Sequence, residues 1–205
     1  MFLTKVAQKF RPLNSPGIAL SLEINAATAS GLSLGEFLVV VLEALQKVPH
    51  VLVGGLALAE YAKPRNTQDL DFVIVGHDMD QMIKLLEGQG FKVVENLPYQ
   101  KPQRDIVKFE YRGRECDLIF YGSKDFTSRL MARAKPATVM GKQVKVASAE
   151  DLVITKLASM RWKDKADIMA IRTKDDRLDL SYIRDRLWDL GISDRIQFLK
   201  LPVEE

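Results

Sequence analysis

The chain has 205 residues, of which 47% are hydrophobic and 28% charged, a composition typical of a soluble globular protein with one or two domains. The apolar run FLVVVL is far shorter than the ~20 residues of a membrane span, and Lys5, Lys9 and Arg11 interrupt any signal-peptide core, so we expect a cytoplasmic protein with no membrane partner. The net charge is +3, and residues 101–177 carry an excess of seven positive charges, which indicates either a polyanion-binding surface or a solvated surface of mixed charge.

The hydrophobic pattern predicts alternating helices and strands over most of the chain. Residues 1–34 predict no regular element, and we treat them as an extension of unclear role. Ser33 and Glu36 have the spacing of a capping box and predict a helix that continues to about Val48. The elements predicted next are the strand HVLV, the helix LALAEYA, the strand QDLDFVIV, the helix DMDQMIKLLEGQG, the strands FKVVE, DIVKFEY and ECDLIFY, the helix DFTSRLMARA and the hairpin ATVMGKQVKV, which turns at Gly141.

The last part of the chain is predicted to be helical, with the segments SAEDLVITKLASM, KDKADIMAIR and LSYIRDRLWDLG. The order of elements predicts an α/β (α+β) fold with three regions: the extension 1–34, a mixed α/β domain at 35–148, and an α-helical region at 149–205. Trp162 and Trp188 lie in helical patterns and are predicted to be core residues.

Two aspartates mark the start of the strand DLDFVIV. Asp69 and Asp71 are two residues apart, so in a strand their side chains point to the same face. Two neighbouring carboxylates at the rim of an apolar strand repel each other and resist desolvation. The sequence therefore predicts that another group compensates their charge.

A glycine pair, Gly54 and Gly55, separates the strand HVLV from the helix that follows it. This arrangement exposes backbone N–H groups at a helix N-terminus, where phosphate binds, although a glycine pair alone is a weak signal. Arg65 and Thr67 follow shortly before the aspartates. Each is predicted either to contact substrate or to act structurally, Arg65 as an ion-pair partner of an aspartate and Thr67 as support for the turn.

A third carboxylate, Asp117, has a similar position in the strand ECDLIFY. If this strand neighbours DLDFVIV, three carboxylates converge beside the glycine pair, and hard divalent cations with oxygen ligands would offset their repulsion. Glu115 shares the strand face of Asp117 and is an alternative ligand. Cys116 points to the opposite face and is expected in the core; as the only cysteine, it excludes an internal disulfide and a cysteine-cluster zinc site.

Taken together, the pattern GG…R-x-T-x-D-x-D with a later strand aspartate resembles the minimal nucleotidyltransferase fold of the DNA polymerase β superfamily. The downstream segment EDLVITKLASMRWKDKADI is similar to the distal helices of a bacterial branch that includes the AbiE-type and MenT-type toxin nucleotidyltransferases. The resemblance covers roughly residues 35–190. It implies a mixed sheet with flanking helices, followed by an α-rich part.

The resemblance also implies the roles of the site residues. Asp69 and Asp71 ligate Mg²⁺ or Mn²⁺, Asp117 completes the metal site near the acceptor, and Gly54 and Gly55 hold the triphosphate. In such a site two metal ions lie about 3.5–4 Å apart. The implied reaction moves a nucleoside monophosphate from a nucleoside triphosphate (NTP) to an acceptor, which is RNA, a protein side chain or a small molecule, as in a toxin–antitoxin enzyme.

The distal helix adds candidate cations. If it is continuous from residue 150, Lys156, Lys163 and Asp167 share one face. Lys156 lies among apolar residues, and we predict that it reaches the nucleotide phosphates, with snorkelling to solvent as the alternative. A break near Arg161 would change which of the later residues can join it.

Two other functions are compatible with this sequence. A nucleotide-binding regulator of the same fold that has lost catalysis is disfavoured, because a pure binder has no need for three repelling carboxylates. An RNA-binding module is disfavoured by the absence of a basic segment interleaved with aromatic residues. The acceptor, the preferred NTP and the oligomeric state stay open at this point.

Overall fold

The computed structural model describes residues 31–63, 67–100, 102–139, 142–174 and 177–200. The helices are α1 (Leu34–Ala44), α2 (Gly54–Leu58), α3 (Met79–Glu87), α4 (Lys124–Arg133), α5 (Ala149–Ser159), α6 (Trp162–Lys174) and α7 (Leu180–Asp189), with a 3₁₀ helix at Ser193–Lys200. The strands are β1 (His50–Val53), β2 (Leu70–Ile74), β3 (Lys92–Gln100), β4 (Arg104–Tyr111), β5 (Arg114–Tyr121), β6 (Lys135–Val139) and β7 (Lys142–Val146).

The strands form one mixed sheet in the order β3-β4-β5-β2-β1-β7-β6. β1 is antiparallel to β2 and parallel to β7, and β2 is parallel to β5. The pairs β3/β4, β4/β5 and β6/β7 are antiparallel. This mixed sheet with flanking helices and a helical C-terminal part confirms the predicted fold class. The predicted turn at Gly141 lies outside the described residues.

Apolar side chains from the sheet and the helices form one core. Phe37 of α1, Phe72 of β2, Phe109 of β4 and Phe126 of α4 are completely buried in it. Burying a phenylalanine side chain stabilises the fold by about 1.5–3 kcal/mol. Helices α5, α6 and α7 contribute to the same core and thereby fix the helical part of the chain against the sheet.

The start of α1 follows the sequence prediction, but its end does not. Ser33 Oγ accepts a hydrogen bond from the Glu36 N–H, and the Glu36 carboxylate accepts one from the Ser33 N–H, so the capping box is confirmed. The helix ends at Ala44 rather than near Val48, because the chain turns there to enter β1.

The C-terminal helices follow the predicted segments, with one correction. Met160 adopts a left-handed conformation with φ 53° and ends α5 at Ser159, and α6 begins at Trp162, so the break considered near Arg161 is present. Trp162 and Trp188 are not core residues, since they are 84% and 75% exposed. Both tryptophans lie on the solvent side of their helices.

In the described ranges, no helix combines the length and the apolar composition needed to cross a bilayer.

Candidate active site

The register of the central strands brings two of the predicted carboxylates together. Asp71 of β2 is the direct partner of Asp117 in the parallel strand β5. Directly paired residues of neighbouring strands project to the same face of a sheet, so the two carboxylates lie side by side. Asp69 precedes β2 by one residue and is partly buried. The assumed neighbourhood of the two strands is confirmed.

Gly54 gives the Asp71 carboxylate its space. A Cβ atom added to Gly54 would lie 1.9 Å from Asp71 Oδ2, and the glycine has φ +69°, a conformation that side-chain-bearing residues rarely adopt. Gly54 therefore has a packing role that sequence reasoning missed. It also begins α2, in which Gly55 is buried, and the role of both glycines in holding a triphosphate stays a prediction.

The electrostatic environment of Asp71 disfavours its charged form. Burial raises the pKa of this carboxyl group above its usual value, and the negative charges of Asp117 and Asp69 raise it further. The positive charges of Arg161 and Lys156 act in the opposite direction. Asp71 thus lies where an added positive charge would stabilise it.

Asp117 already has a cationic partner, Lys108 of β4. Lys108 Nζ lies 2.8 Å from Asp117 Oδ1 and 3.3 Å from Glu115 Oε2. Burial acts to lower the pKa of Lys108, but the contacts with Asp117 and Glu115 outweigh it and raise the pKa. Burial raises the pKa of Asp117, and Lys108 opposes this effect. The sequence analysis did not single out Lys108.

A second group of charged side chains lies near the junction of α5 and α6. The Lys156 ammonium is buried, with Nζ 2.5 Å from Asp167 Oδ2 and 3.8 Å from Asp164 Oδ1, so the snorkelling alternative is wrong. Asp164 is also paired with Arg161, whose Nε lies 2.8 Å from Asp164 Oδ2. The positive charge of Arg161 acts to lower the pKa of Asp71, against the effect of burial.

The remaining predicted residues have mixed outcomes. Thr67 Oγ1 donates to the Asp69 carbonyl oxygen at 3.4 Å, as expected for a residue that supports the turn. Arg65 lies outside the described residues. Lys163 is partly buried and forms no ion pair with a described residue. Its predicted contact with phosphate stays a prediction.

The loop before Asp69 is held by a residue that the sequence analysis missed. Arg114 is buried, donates from Nη1 to Gln68 Oε1 at 2.7 Å, and donates from Nε and Nη2 to the Leu32 carbonyl oxygen. It thereby fixes the chain next to Asp69 against the segment that precedes α1.

Comparison with known proteins decides the family. A family model described as an uncharacterised nucleotidyltransferase matches residues 18–201. The chain belongs to this nucleotidyltransferase family. It is therefore an enzyme that transfers nucleotides. No curated protein matches the sequence significantly.

Several solved structures resemble this nucleotidyltransferase. The antibiotic-resistance factor ANT(2'')-Ia in solution has a TM-score of 0.49 at 14% identity, over 81% of this chain and 93% of the other. An antigenic nucleotidyltransferase-like protein from Paracoccidioides brasiliensis has a TM-score of 0.48 at 20% identity, over 80% and 92%. The lincosamide antibiotic adenylyltransferase LnuA, bound to lincomycin, has a TM-score of 0.43 at 16% identity, over 69% and 96%.

The described side chains of this nucleotidyltransferase include oxygen donors that could bind a metal ion. No group of three His, Cys, Asp or Glu side chains converges to hold one among the residues that the structure describes. Asp69 and Asp71 nevertheless supply hard oxygen donors, and neither has a Lys or Arg within ion-pair distance in the described part of the chain. Two oxygen donors without a direct ion-pair partner fit a divalent cation such as Mg²⁺, which binds through a few carboxylates and substrate phosphates.

Proposed function

We propose that this enzyme transfers a nucleoside monophosphate from an NTP to a hydroxyl group of an acceptor, with Asp69 and Asp71 holding a divalent cation, Mg²⁺ or Mn²⁺. The observation that carries the proposal is the β2/β5 register, in which Asp71 and Asp117 are direct partners next to Gly54. The raised pKa of Asp71 supports it, because a site that disfavours an unpaired carboxylate gains most from a bound cation.

Each group of side chains has a task in this reaction. The acceptor oxygen forms a bond to the α-phosphorus, the bond from that phosphorus to the pyrophosphate oxygen breaks, and the acceptor proton passes to Asp117. Asp69 and Asp71 would hold a divalent cation, which would supply positive charge against the charge that develops on the phosphate oxygens. The exposed guanidinium of Arg161 and the ammonium of Lys163 bind the triphosphate, together with backbone N–H groups of Gly54 and Gly55.

The buried Lys156 and the loop residues act around this centre. Lys156 is paired with Asp167, and its charge acts on the pKa of Asp71, so it supports the positive potential that attracts the nucleotide phosphates. Arg65 and Thr67 precede Asp69, and Thr67 stabilises the turn that presents it. We assign Arg65 to the substrate phosphates on the sequence pattern alone.

Transfer of label from each NTP tests the proposal. The protein is incubated with Mg²⁺, a fractionated cell extract and each of the four NTPs labelled at the α-phosphate, and the labelled acceptor is classed by its sensitivity to nuclease and protease. Asp71→Asn should slow labelling about 100-fold or more, because it weakens the site for the cation that would stabilise charge at the reacting phosphate. Asp80→Asn, the same change at an exposed position in the first turn of α3, is the matched control. Equal rates for wild type and Asp71→Asn would contradict the proposal.

A toxin role rests only on the resemblance of residues 150–168 to the AbiE-type and MenT-type enzymes. In that role, expression of the wild type arrests growth of a bacterial host, whereas expression of Asp71→Asn at the same level does not. Normal growth with the active enzyme would remove the toxin assignment and leave the transferase assignment in place.

A further inference from the structure

We propose that Lys108 supplies a built-in positive charge on the acceptor side of the site, in the place where Asp117 would otherwise hold a second divalent cation. The enzyme then works with a single divalent cation, held by Asp69 and Asp71. This inference rests on the proposed function and specifies how the charge of that site is balanced.

The sheet places the three charges in one row. Lys108 is the direct partner of Asp117 across the antiparallel pair β4/β5, and Asp117 is the direct partner of Asp71 across the parallel pair β5/β2. Neighbouring strands lie about 4.8 Å apart, so the Lys108 Cα is about 10 Å from the Asp71 Cα. Direct partners project to one face, so the row reads cation, anion, anion on the same face of the sheet.

The contact between Lys108 and Asp117 is close and shielded from solvent. Nζ lies 2.8 Å from Asp117 Oδ1, and the two side chains are only 22% and 21% exposed. Glu115 adds a second negative contact at 3.3 Å, so the ammonium is held from two sides. Partial burial limits solvent screening of the charges, which makes the pair harder to separate than a surface ion pair.

The two ends of the carboxylate row therefore differ. Asp117 has its counter-charge within the chain, whereas Asp69 and Asp71 have no Lys or Arg within ion-pair distance among the described residues. A divalent ion bound at Asp117 would either displace the ammonium from its partner or stand next to a like charge, and both cost free energy. A divalent ion at Asp69 and Asp71 meets neither obstacle.

Lys108 stays protonated through the reaction. It holds one oxygen of Asp117 while the carboxylate receives the acceptor proton, and it leaves the bonds formed and broken at the α-phosphorus unchanged. Its positive charge offsets the negative charge of the approaching acceptor and phosphate, which is the task of a cation on that side of the site.

Counting bound Mn²⁺ ions tests the inference without measuring activity. The protein is titrated with Mn²⁺ in the presence of α,β-methylene analogues of the four NTPs, and free Mn²⁺ is measured by electron paramagnetic resonance. Wild type should bind one Mn²⁺ per chain. Lys108→Gln should bind two, with the second site strengthened about tenfold or more, the scale on which a nearby unit charge alters a carboxylate's affinity for a cation. Lys108→Arg keeps the charge and should bind one.

Each result has a distinct meaning. A wild type that already binds two ions, or a folded Lys108→Gln protein that still binds one, overturns the inference but leaves the proposed function, because metal-dependent nucleotide binding persists. Wild type that binds the analogues equally well with and without Mn²⁺ overturns both. If Lys108→Gln fails to fold, the counts for wild type and Lys108→Arg decide the question.

Discussion

Replacing Gly54 by alanine tests how the site makes room for its central carboxylate. The added methyl group would lie 1.9 Å from Asp71 Oδ2, 2.5 Å from Asp71 Cγ and 2.8 Å from Asp71 Cβ. Real side chains do not approach this closely, so Gly54→Ala must displace the Asp71 carboxylate, the backbone of α2, or both. We therefore expect loss of stability and of metal-dependent nucleotide binding together.

The size of the effect follows from two contributions. The left-handed backbone at φ +69° costs a non-glycine residue about 1–2 kcal/mol. Forcing a methyl group into occupied space adds about 1–3 kcal/mol. Gly191→Ala is the matched control, because Gly191 has φ +68° and nothing lies within 4 Å of an added Cβ. This variant should therefore lose only the stability that the left-handed backbone costs.

Urea denaturation of the metal-free proteins measures the loss of stability in each of the two glycine variants. Gly54→Ala should lower the free energy of unfolding by about 2–5 kcal/mol and Gly191→Ala by about 1–2 kcal/mol. In an Asp71→Ala background the cost of Gly54→Ala should shrink, because the two most closely approached atoms are gone. Equal costs for the two glycine substitutions in the otherwise wild-type protein would refute the close approach to Asp71.

Three further predictions concern buried charges and the thiol. Burial raises the pKa of Asp71 above 3.8, so the folded state binds this proton more tightly and stability falls as pH rises above that value. Asp71→Asn should flatten this fall and leave the metal-free protein at least as stable at pH 7; a lower urea midpoint would contradict this. Lys156→Met removes the ammonium from the buried ion pair with Asp167 and should lower the free energy of unfolding by about 3–5 kcal/mol, whereas Lys165→Met at an exposed position should change it little. Similar losses for the two variants in urea denaturation would count against the buried pair. Burial raises the pKa of Cys116, so a thiol reagent should label it only at the rate of unfolding, and rapid labelling of the folded protein would show that it is accessible.

Asp71 and Asp117 were predictable as strand residues because the apolar runs that mark β2 and β5 are local, whereas Asp69 lies one residue before β2 rather than in the strand. Asp69, Asp71 and Asp117 could be located from the sequence, but the pairing of Asp71 with Asp117 joins residues far apart and had to be assumed. The contact between Lys108 and Asp117 could have been predicted from the hairpin that joins their strands. Tyr111 pairs with Arg114, so the hairpin turns on two residues of positive φ, and this register sets Lys108 opposite Asp117.

The burial of residues in the C-terminal helices was less predictable, because hydrophobic periodicity identifies the apolar face of a helix but not the element that packs against it. Trp162 and Trp188 fit helical patterns, yet they are 84% and 75% exposed. The gap between α5 and α6 was expected from the two separate helical segments, but the left-handed Met160 was not, since methionine favours helices and this conformation costs about 1–2 kcal/mol. Across the break, Lys156 of α5 and Asp167 of α6 form a buried ion pair.

The interior position of β1, between β2 and β7, has a consequence for how the chain folds. Leu52 of β1 pairs with Val146 of β7, 94 residues further along the chain. Ribosomes add about 5–20 residues per second, so roughly 5–20 s separate the synthesis of these two partners. During that interval the apolar strand HVLV has one unpaired edge, the kind of edge that recruits other strands. Closing that edge is therefore a late, long-range step of folding, and β1 stays open to pairing with other chains until β7 has been made.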